Sequence, residues 1–261
     1  MKLHRINSQL LKFWYITLNR IDRWFDILYW PLIDLFVWGF ASYFIRDLAD
    51  VNLINMFLGG IILWVFVWRS GQDMAVFILE DFWSKNLYHL YTTPIRISEH
   101  MTAVIIAGFI RALMTFGVLV ALSVIMYSFN FFTVPLAVIG ISIALLSLFA
   151  WSMGMFITSL ILRFGQRIQV LSWSIVWVIQ PFSCVFYPLS ALPPWAANIA
   201  IWMPPTAVFE NLRAVLAGTP MDNTLLLRGF LVSIALLALV SVFLGRSFQR
   251  ARKTGLLARG D

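Results

Sequence analysis

The chain has 261 residues, of which 61% are hydrophobic, 16% aromatic and only 12% charged. A soluble domain carries roughly 45–50% apolar and about 25% charged residues, so too little polar side chain is present to cover this much apolar surface. Soluble enzyme, disordered chain and secreted disulfide scaffold are all disfavoured, and a polytopic membrane protein remains. The single cysteine, Cys184, cannot make an intramolecular disulfide. The net charge of +7 reads as an affinity for anionic lipid headgroups rather than nucleic acid, because the cations are scattered along hydrophobic segments.

Residues 1–26 come first. Leu3, Ile6, Leu10, Phe13, Trp14, Ile21, Trp24 and Phe25 recur at helical spacing, while Arg5, Lys12, Asn19 and Arg23 occupy other positions. This pattern predicts an amphipathic helix lying in the membrane interface. Lys12, Arg20, Asp22 and Arg23 interrupt any signal-peptide core.

Six full spans follow, each measured against the roughly 20 apolar residues that cross the hydrocarbon. The first, 27–45, carries Pro31 and Asp34; the second, 51–68, carries Asn52 and Asn55 at its leading end. The third, 101–127, is interrupted only by Arg111. The fourth, 134–162, and fifth, 168–187, have no charge, and the last, 225–245, has Arg228 at its front edge. Arg111 is costly in lipid and needs protein, water or an acid beside it. Asp34 is the acid considered for it.

Between Arg167 and Glu210 no residue is charged, over a length of 42 residues. Its second half contains Pro188, Pro193-Pro194-Trp195 and Pro204-Pro205. Proline lacks an N–H and clashes inside helices, so 188–216 is predicted to form short helices that dip into the membrane and return on the same side. Charge supports that count. With a cytoplasmic N-terminus, 15 of the 19 Lys and Arg residues fall inside, while Arg46, Arg213 and Arg228 fall outside and Arg111 within a span. This obeys the positive-inside rule. A seventh crossing would move the five C-terminal cations of 246–261 outside and largely cancel the bias. The basic run after 245 continues the last helix out of the membrane and then frays.

No catalytic constellation stands out. His4, His89 and His100 lie outside span centres without a second ligand at metal spacing, and the acids are spread singly. No Gly-x4-Gly-Lys-Ser/Thr loop is present, so the chain has no P-loop of its own for ATP. The informative loop is Glu80-Asp81-Phe82-Trp83-Ser84-Lys85-Asn86-Leu87-Tyr88-His89-Leu90-Tyr91-Thr92-Thr93-Pro94. Phe82, Leu87, Leu90 and Tyr91 can share one helical face, with acids at its start and Pro94 ending it. A short cytoplasmic helix of mixed polarity over about 79–94 is a natural docking element for a soluble partner. Trp64 and Trp68 are one turn apart, as are Trp173 and Trp177, a spacing that serves either helix packing and interfacial belts or stacking on an amphiphile. Glu210, just after the prolines, is read as an anchor for the hairpin.

The order of these elements resembles the membrane subunit of ABC-2 type transporters, the type V exporter fold. The stretch Trp83-Ser-Lys-Asn-Leu-Tyr-His-Leu-Tyr-Thr-Thr-Pro-Ile-Arg-Ile-Ser-Glu99 resembles that family's coupling-helix region. Phe186-Tyr-Pro-Leu-Ser-Ala-Leu-Pro-Pro-Trp195, with Met203-Pro-Pro-Thr and Glu210-Asn-Leu-Arg213, resembles its extracellular re-entrant region, although the family more often has Asn-Pro where this chain has Met203-Pro204. The implied fold is an all-α integral membrane protein: an interface helix (1–26), a six-span domain (27–245) with coupling helix and re-entrant hairpin, and a basic cytoplasmic tail (246–261).

The resemblance further implies a permease in the cytoplasmic membrane, with both termini cytoplasmic. It would export a drug-like, lipid-linked or glycan amphiphile, working as a homodimer with two copies of a separate ABC ATPase that binds ATP and Mg. Glu80, Asp81, Phe82, Trp83, Asn86, Leu87, Leu90, Tyr91, Thr93 and Pro94 would contact that ATPase. Asp34, Asn52, Asn55 and Gln180 are the polar groups on spans expected to line the path. Tyr187, Pro188, Pro193, Pro194, Trp195 and Glu210 would form the outer gate. The competing classes are an integral membrane enzyme acting on lipid and a stand-alone channel or secondary transporter. Missing Ser/His/Asp constellations argue against the first, and scarce intramembrane acids against proton coupling in the second.

Overall fold

A computed structural model describes residues 2–19, 21–45 and 51–254. The side chains of Asn52 and Tyr91, together with Arg20, Arg46 and the end of the basic tail, lie outside the described residues. Among those described the chain forms ten α-helices and no strand.

The N-terminal helix α1, Leu3–Asn19, buries Ile6, Gln9, Phe13 and Thr17, a stripe at intervals of three and four. Its other side leaves Leu3, Leu11, Trp14 and Leu18 exposed. Helix α2, Ile21–Ile45, begins six residues before the expected first span and includes Pro31.

Helix α3, Val51–Trp83, differs most from expectation. It has 33 residues, so it is about 50 Å long against a hydrocarbon layer of about 30 Å. The expected second span stopped at the first charge, Arg69. The helix continues because Arg69 faces Asp73 one turn on, at 3.5 Å, and both are buried. Met74, Phe77, Ile78 and Phe82 then carry the buried surface to the helix end. Helix α4, Asn86–Thr92, is a single short element beyond it.

Helices α5, Ile97–Tyr127, and α6, Leu136–Phe164, match the expected third and fourth spans. The expected fifth, 168–187, is shorter. Helix α7, Leu171–Ile179, has nine residues, with 3-10 turns at Gly165–Ile168 and Gln180–Phe182. Pro181 has no N–H to continue the ladder, and Cys184 turns the chain in the left-handed region at φ 52°. Among the described residues five helices, α2, α3, α5, α6 and the last one, are each long and apolar enough to cross a membrane; Leu171–Phe182 is shorter, yet its segment runs along α3 from Trp83, on which Trp173 stacks, past Trp68 beside Trp177, to Gly60 beside Val185, and so joins the two ends of that helix.

The proline-rich segment breaks into a 3-10 turn, Leu189–Ala191, then α8, Pro194–Ala200, and α9, Pro204–Leu216. Each helix starts on proline, where the missing N–H costs nothing. Helix α10, Asn223–Thr254, passes the expected end at 245 and buries Ser247, Phe248 and Ala251 on the way.

Helix α3 is the centre of the bundle, enclosed chiefly by α5 and α6. It crosses α6 where Gly71 meets Gly154: a Cβ on Gly154 would lie 2.6 Å from the Gly71 carbonyl oxygen. Small residues at such a crossing let the backbones touch. At its other end a Cβ on Gly60 would lie 2.8 Å from the Val185 carbonyl oxygen, so the 183–187 turn rests directly on α3. The hairpin and α4 therefore sit at opposite ends of one helix.

Candidate functional site

The first site is the turn between α3 and α5. Helix α3 ends as Ser84 N–H donates to Glu80 O (2.9 Å) and Lys85 N–H to Phe82 O (3.0 Å), with Lys85 left-handed at φ 55°. Thr93, extended ahead of Pro94, closes α4. Leu87 and Leu90 are buried at 1% and 7% exposure, as is Phe82 at 3%, so the apolar face of α4 is taken up by this chain itself. Trp83 is half-exposed and stacks on Trp173 at 6.5 Å. Lys85, His89, Thr92, Thr93, Pro94 and Arg96 point outward. Lys85, His89 and Arg96 were not among the expected contact residues, yet they lie on its open side.

Glu80 and Asp81 face α1 and α2 rather than open water. Asp81 Oδ1 accepts from Lys12 Nζ at 2.5 Å and from Asn86 Nδ2 at 3.2 Å, while Oδ2 lies 3.9 Å from His100 Nε2. Glu80 pairs with Arg23. Glu99, near the start of α5, accepts from the backbone N–H groups of Lys2 (2.8 Å) and Arg96 (3.0 Å) and pairs with Arg5 at 3.4 Å. Arg5 also donates to the Pro94 carbonyl. The N-terminal helix is clamped to both sides of α4. Beside it a cavity of about 410 Å³ opens between Thr93–Ile97 and Phe248, Gln249 and Arg252 of α10.

The second feature corrects the pairing considered for Arg111. Its partner is Asp73, with Nη1 3.6 Å from Oδ2, not Asp34. Arg111 also donates to Thr17 Oγ1 and lies 4.5 Å above the Phe77 ring. Asp73 thus answers two arginines at once, Arg69 on its own helix and Arg111 on α5. Such a cluster is tolerable at depth only because every charge has a partner.

The third feature unites residues far apart in sequence. Asp34 of α2 and Gln180 line one cavity of about 20 Å³ with Trp38, Trp64, Trp68 and Phe186. Trp38 stacks on Phe186 at 4.0 Å, and Trp68 meets Trp177 edge-on at 5.0 Å. Asn55 is half-buried near the start of α3 and does not line that cavity.

At the hairpin, Glu210 Oε1 accepts from Leu189 N–H at 2.7 Å and from Arg213 Nη2 at 2.6 Å, tying α9 to the turn after Pro188. Tyr187 donates to the Pro181 carbonyl, and Thr206 Oγ1 to the Phe182 carbonyl at 3.2 Å. Trp195, exposed at 64%, meets Phe182 edge-on at 6.1 Å, while Pro193 and Pro194 set the start of α8. Asn211 was not anticipated. It is buried, accepts from Asp222 N–H at 2.7 Å and donates to Ala207 O at 2.8 Å, fastening α9 to the start of α10.

The described residues form an all-helical, multi-pass membrane protein with a clamped helical turn at one end of α3 and a proline-broken hairpin at the other. A family model described as "ABC-2 family transporter protein" matches residues 45–245, and the chain belongs to that family. No curated protein matches the chain.

Proposed function

We propose that this chain is the membrane-spanning permease subunit of an ATP-driven exporter, powered by a separate ABC ATPase that binds ATP and Mg. In this reading two permeases and two ATPase chains assemble in the cytoplasmic membrane. The termini and α4 face the cytoplasm, and an amphiphile moves outward. The observation that carries it is the construction of α4. Its buried Leu87 and Leu90, and the Asp81 contacts to Lys12 and Asn86, join it to α1 and α3 as one body, while Lys85, Thr92 and Pro94 are exposed to a partner. A push on that surface reaches α3 and α5 without first being absorbed in a loose loop. The cavity beside Thr93–Ile97 gives a partner element a place to seat.

The test uses the exposed side. Lys85→Glu combined with His89→Glu is expected to cut co-purification of the ATPase about tenfold while the permease remains monodisperse in detergent, since each tenfold is only about 1.4 kcal/mol of contact. Leu87→Asp is a folding variant instead, because it would place a charge in the packed interior. Undiminished ATPase capture by the double variant would remove the docking assignment. Cysteines placed at 85, 89 and 92 should be labelled only from the cytoplasmic side, and one at 195 only from outside.

A further inference from the structure

Among the described residues, the buried arginine at membrane depth is matched but one acid is not. Arg111 has Asp73, Thr17 and Phe77 around it. Asp34, in the middle of α2, has neither ion pair nor hydrogen bond, although it is half-buried and lines a cavity. An ionisable group at this depth is expensive unless something compensates it, and no cation of the described residues does.

The walls say what would. Trp38, Trp64, Trp68 and Phe186 present aromatic surfaces around the carboxylate, and Gln180 supplies an amide. Ring faces attract cations, most strongly where water is excluded. The cavity's size chooses among cations and sugars. At about 20 Å³ it admits one water-sized group, which suits a protonated primary amine and is too small for a pyranose ring or a trimethylammonium head. Val37 and Phe40 of α2, within two turns of Asp34, are exposed apolar side chains and would carry a hydrocarbon chain.

We infer that Asp34 and the surrounding indoles form a binding site for the ammonium head of a long-chain primary amine, which makes cationic amphiphiles the substrate class of the proposed exporter. The inference rests on the exporter reading for its transport meaning only; the binding site is tested separately. The carboxylate takes the charge, Gln180 accepts a second N–H, and the ring faces replace the water lost.

The full chain in phosphatidylcholine nanodiscs is photolabelled with a diazirine-bearing long-chain primary amine. Labelled peptides should contain Asp34, Trp64 or Phe186. Dodecylamine should compete about tenfold better than dodecanol. Asp34→Asn should lower labelling about tenfold, and Gln180→Glu, which adds a second carboxylate, should raise it; this opposite sign keeps the test valid if Asp34→Asn folds poorly. Equal labelling of wild type and Asp34→Asn, equal competition by dodecanol, or preferential competition by dodecyl maltoside would each overturn the inference. ATPase co-purification separates the two ideas. Capture without amine binding removes this site alone, and amine binding without capture removes the exporter reading alone.

Discussion

Replacing Asp73 by Asn tests the buried charge cluster most directly. Asp73 is 3% exposed and its two oxygens lie 3.5 Å from Arg69 Nη1 and 3.6 Å from Arg111 Nη1. Asn keeps the shape and removes the charge, so two guanidinium groups lose their shared anion. Removing one partner of a buried pair costs about 3–5 kcal/mol, because the remaining charge stays desolvated. For Arg111 the contact to Thr17 and the Phe77 ring at 4.5 Å soften this, which places the expectation at the lower end. At about 2–4 °C per kcal/mol for a chain of this size, a loss of about 3 kcal/mol lowers the melting temperature by about 6–12 °C. The assay is fluorescence-detected size-exclusion after graded heating, with Asp73→Asn, Arg111→Met and the double variant side by side. The double variant should regain about 1–3 kcal/mol over Asp73→Asn, since one of the two cations that lost their anion is then gone. A melting temperature for Asp73→Asn equal to wild type, or a double variant worse than the sum of the singles, would refute the pairing.

Other outcomes follow from the same contacts. Gly154→Ala forces a methyl to 2.6 Å from the Gly71 carbonyl and 2.8 Å from Met74, and should cost about 1–3 kcal/mol, whereas Gly140→Ala meets nothing within 4 Å and should leave the melting temperature unchanged or raise it. Lys12→Met removes the 2.5 Å bond to Asp81 and should speed amide exchange in α1 and α4 while α6 keeps its protection; unchanged exchange in α1 counts against the clamp. Asp222 caps α10, its Oδ1 accepting from Thr224 Oγ1 (2.5 Å), Thr224 N–H (2.9 Å) and Leu225 N–H (3.0 Å), so Asp222→Ala should cost about 0.5–2 kcal/mol. The Thr224 hydroxyl and the Leu225 amide hold the Asp222 carboxyl below its ordinary value. Its stabilisation is therefore complete above the unfolded value near 4 and lost as pH falls through the lower native value. A melting curve of Asp222→Ala that converges on wild type below about pH 4 checks the sign.

Much of this architecture was legible because lipid imposes a simple rule on sequence. Long apolar runs gave α5, α6 and α10, and proline pairs gave the starts of α8 and α9. Glu210, an acid just after the prolines, read as an anchor for the hairpin, and its carboxylate does accept from Leu189 N–H. What failed was any inference needing the phase of one helix against another. Arg69 looked like a helix end because its partner Asp73 is visible only once the helix is assumed to continue. Asp73 and Arg111 lie on different helices, so no local spacing links them. The apolar face of α4 was legible as well, but the same Leu87 and Leu90 fit a partner's groove or this chain's own interior. Tertiary packing decided between them. Residues 168–187 show the converse: composition reads as one continuous span, and Pro181 with the Cys184 turn breaks it into α7 and shorter turns that still run along α3 from Trp83 to Gly60.

The two ends of α3 are held in different ways, and the difference bears on how a force at α4 is used. At the α4 end the contacts are charged and many: Asp81 reaches Lys12 and Asn86, Glu80 reaches Arg23, and Glu99 reaches Lys2 and Arg5. Ion pairs of this kind hold over small displacements, because Coulomb energy falls slowly with distance. At the hairpin end the contact is backbone against backbone, Gly60 on Val185 O, where repulsion rises steeply within tenths of an ångström. A shift of α3 is thus cushioned where it enters and transmitted stiffly where it leaves. The turn it meets also carries Phe186, which stacks on Trp38 at 4.0 Å and forms a wall of the Asp34 cavity. A rigid helix of about 50 Å, with a charged collar at one end and a hard glycine contact at the other, joins α4 to that cavity without a hinge between them, which is the linkage the proposed exporter requires.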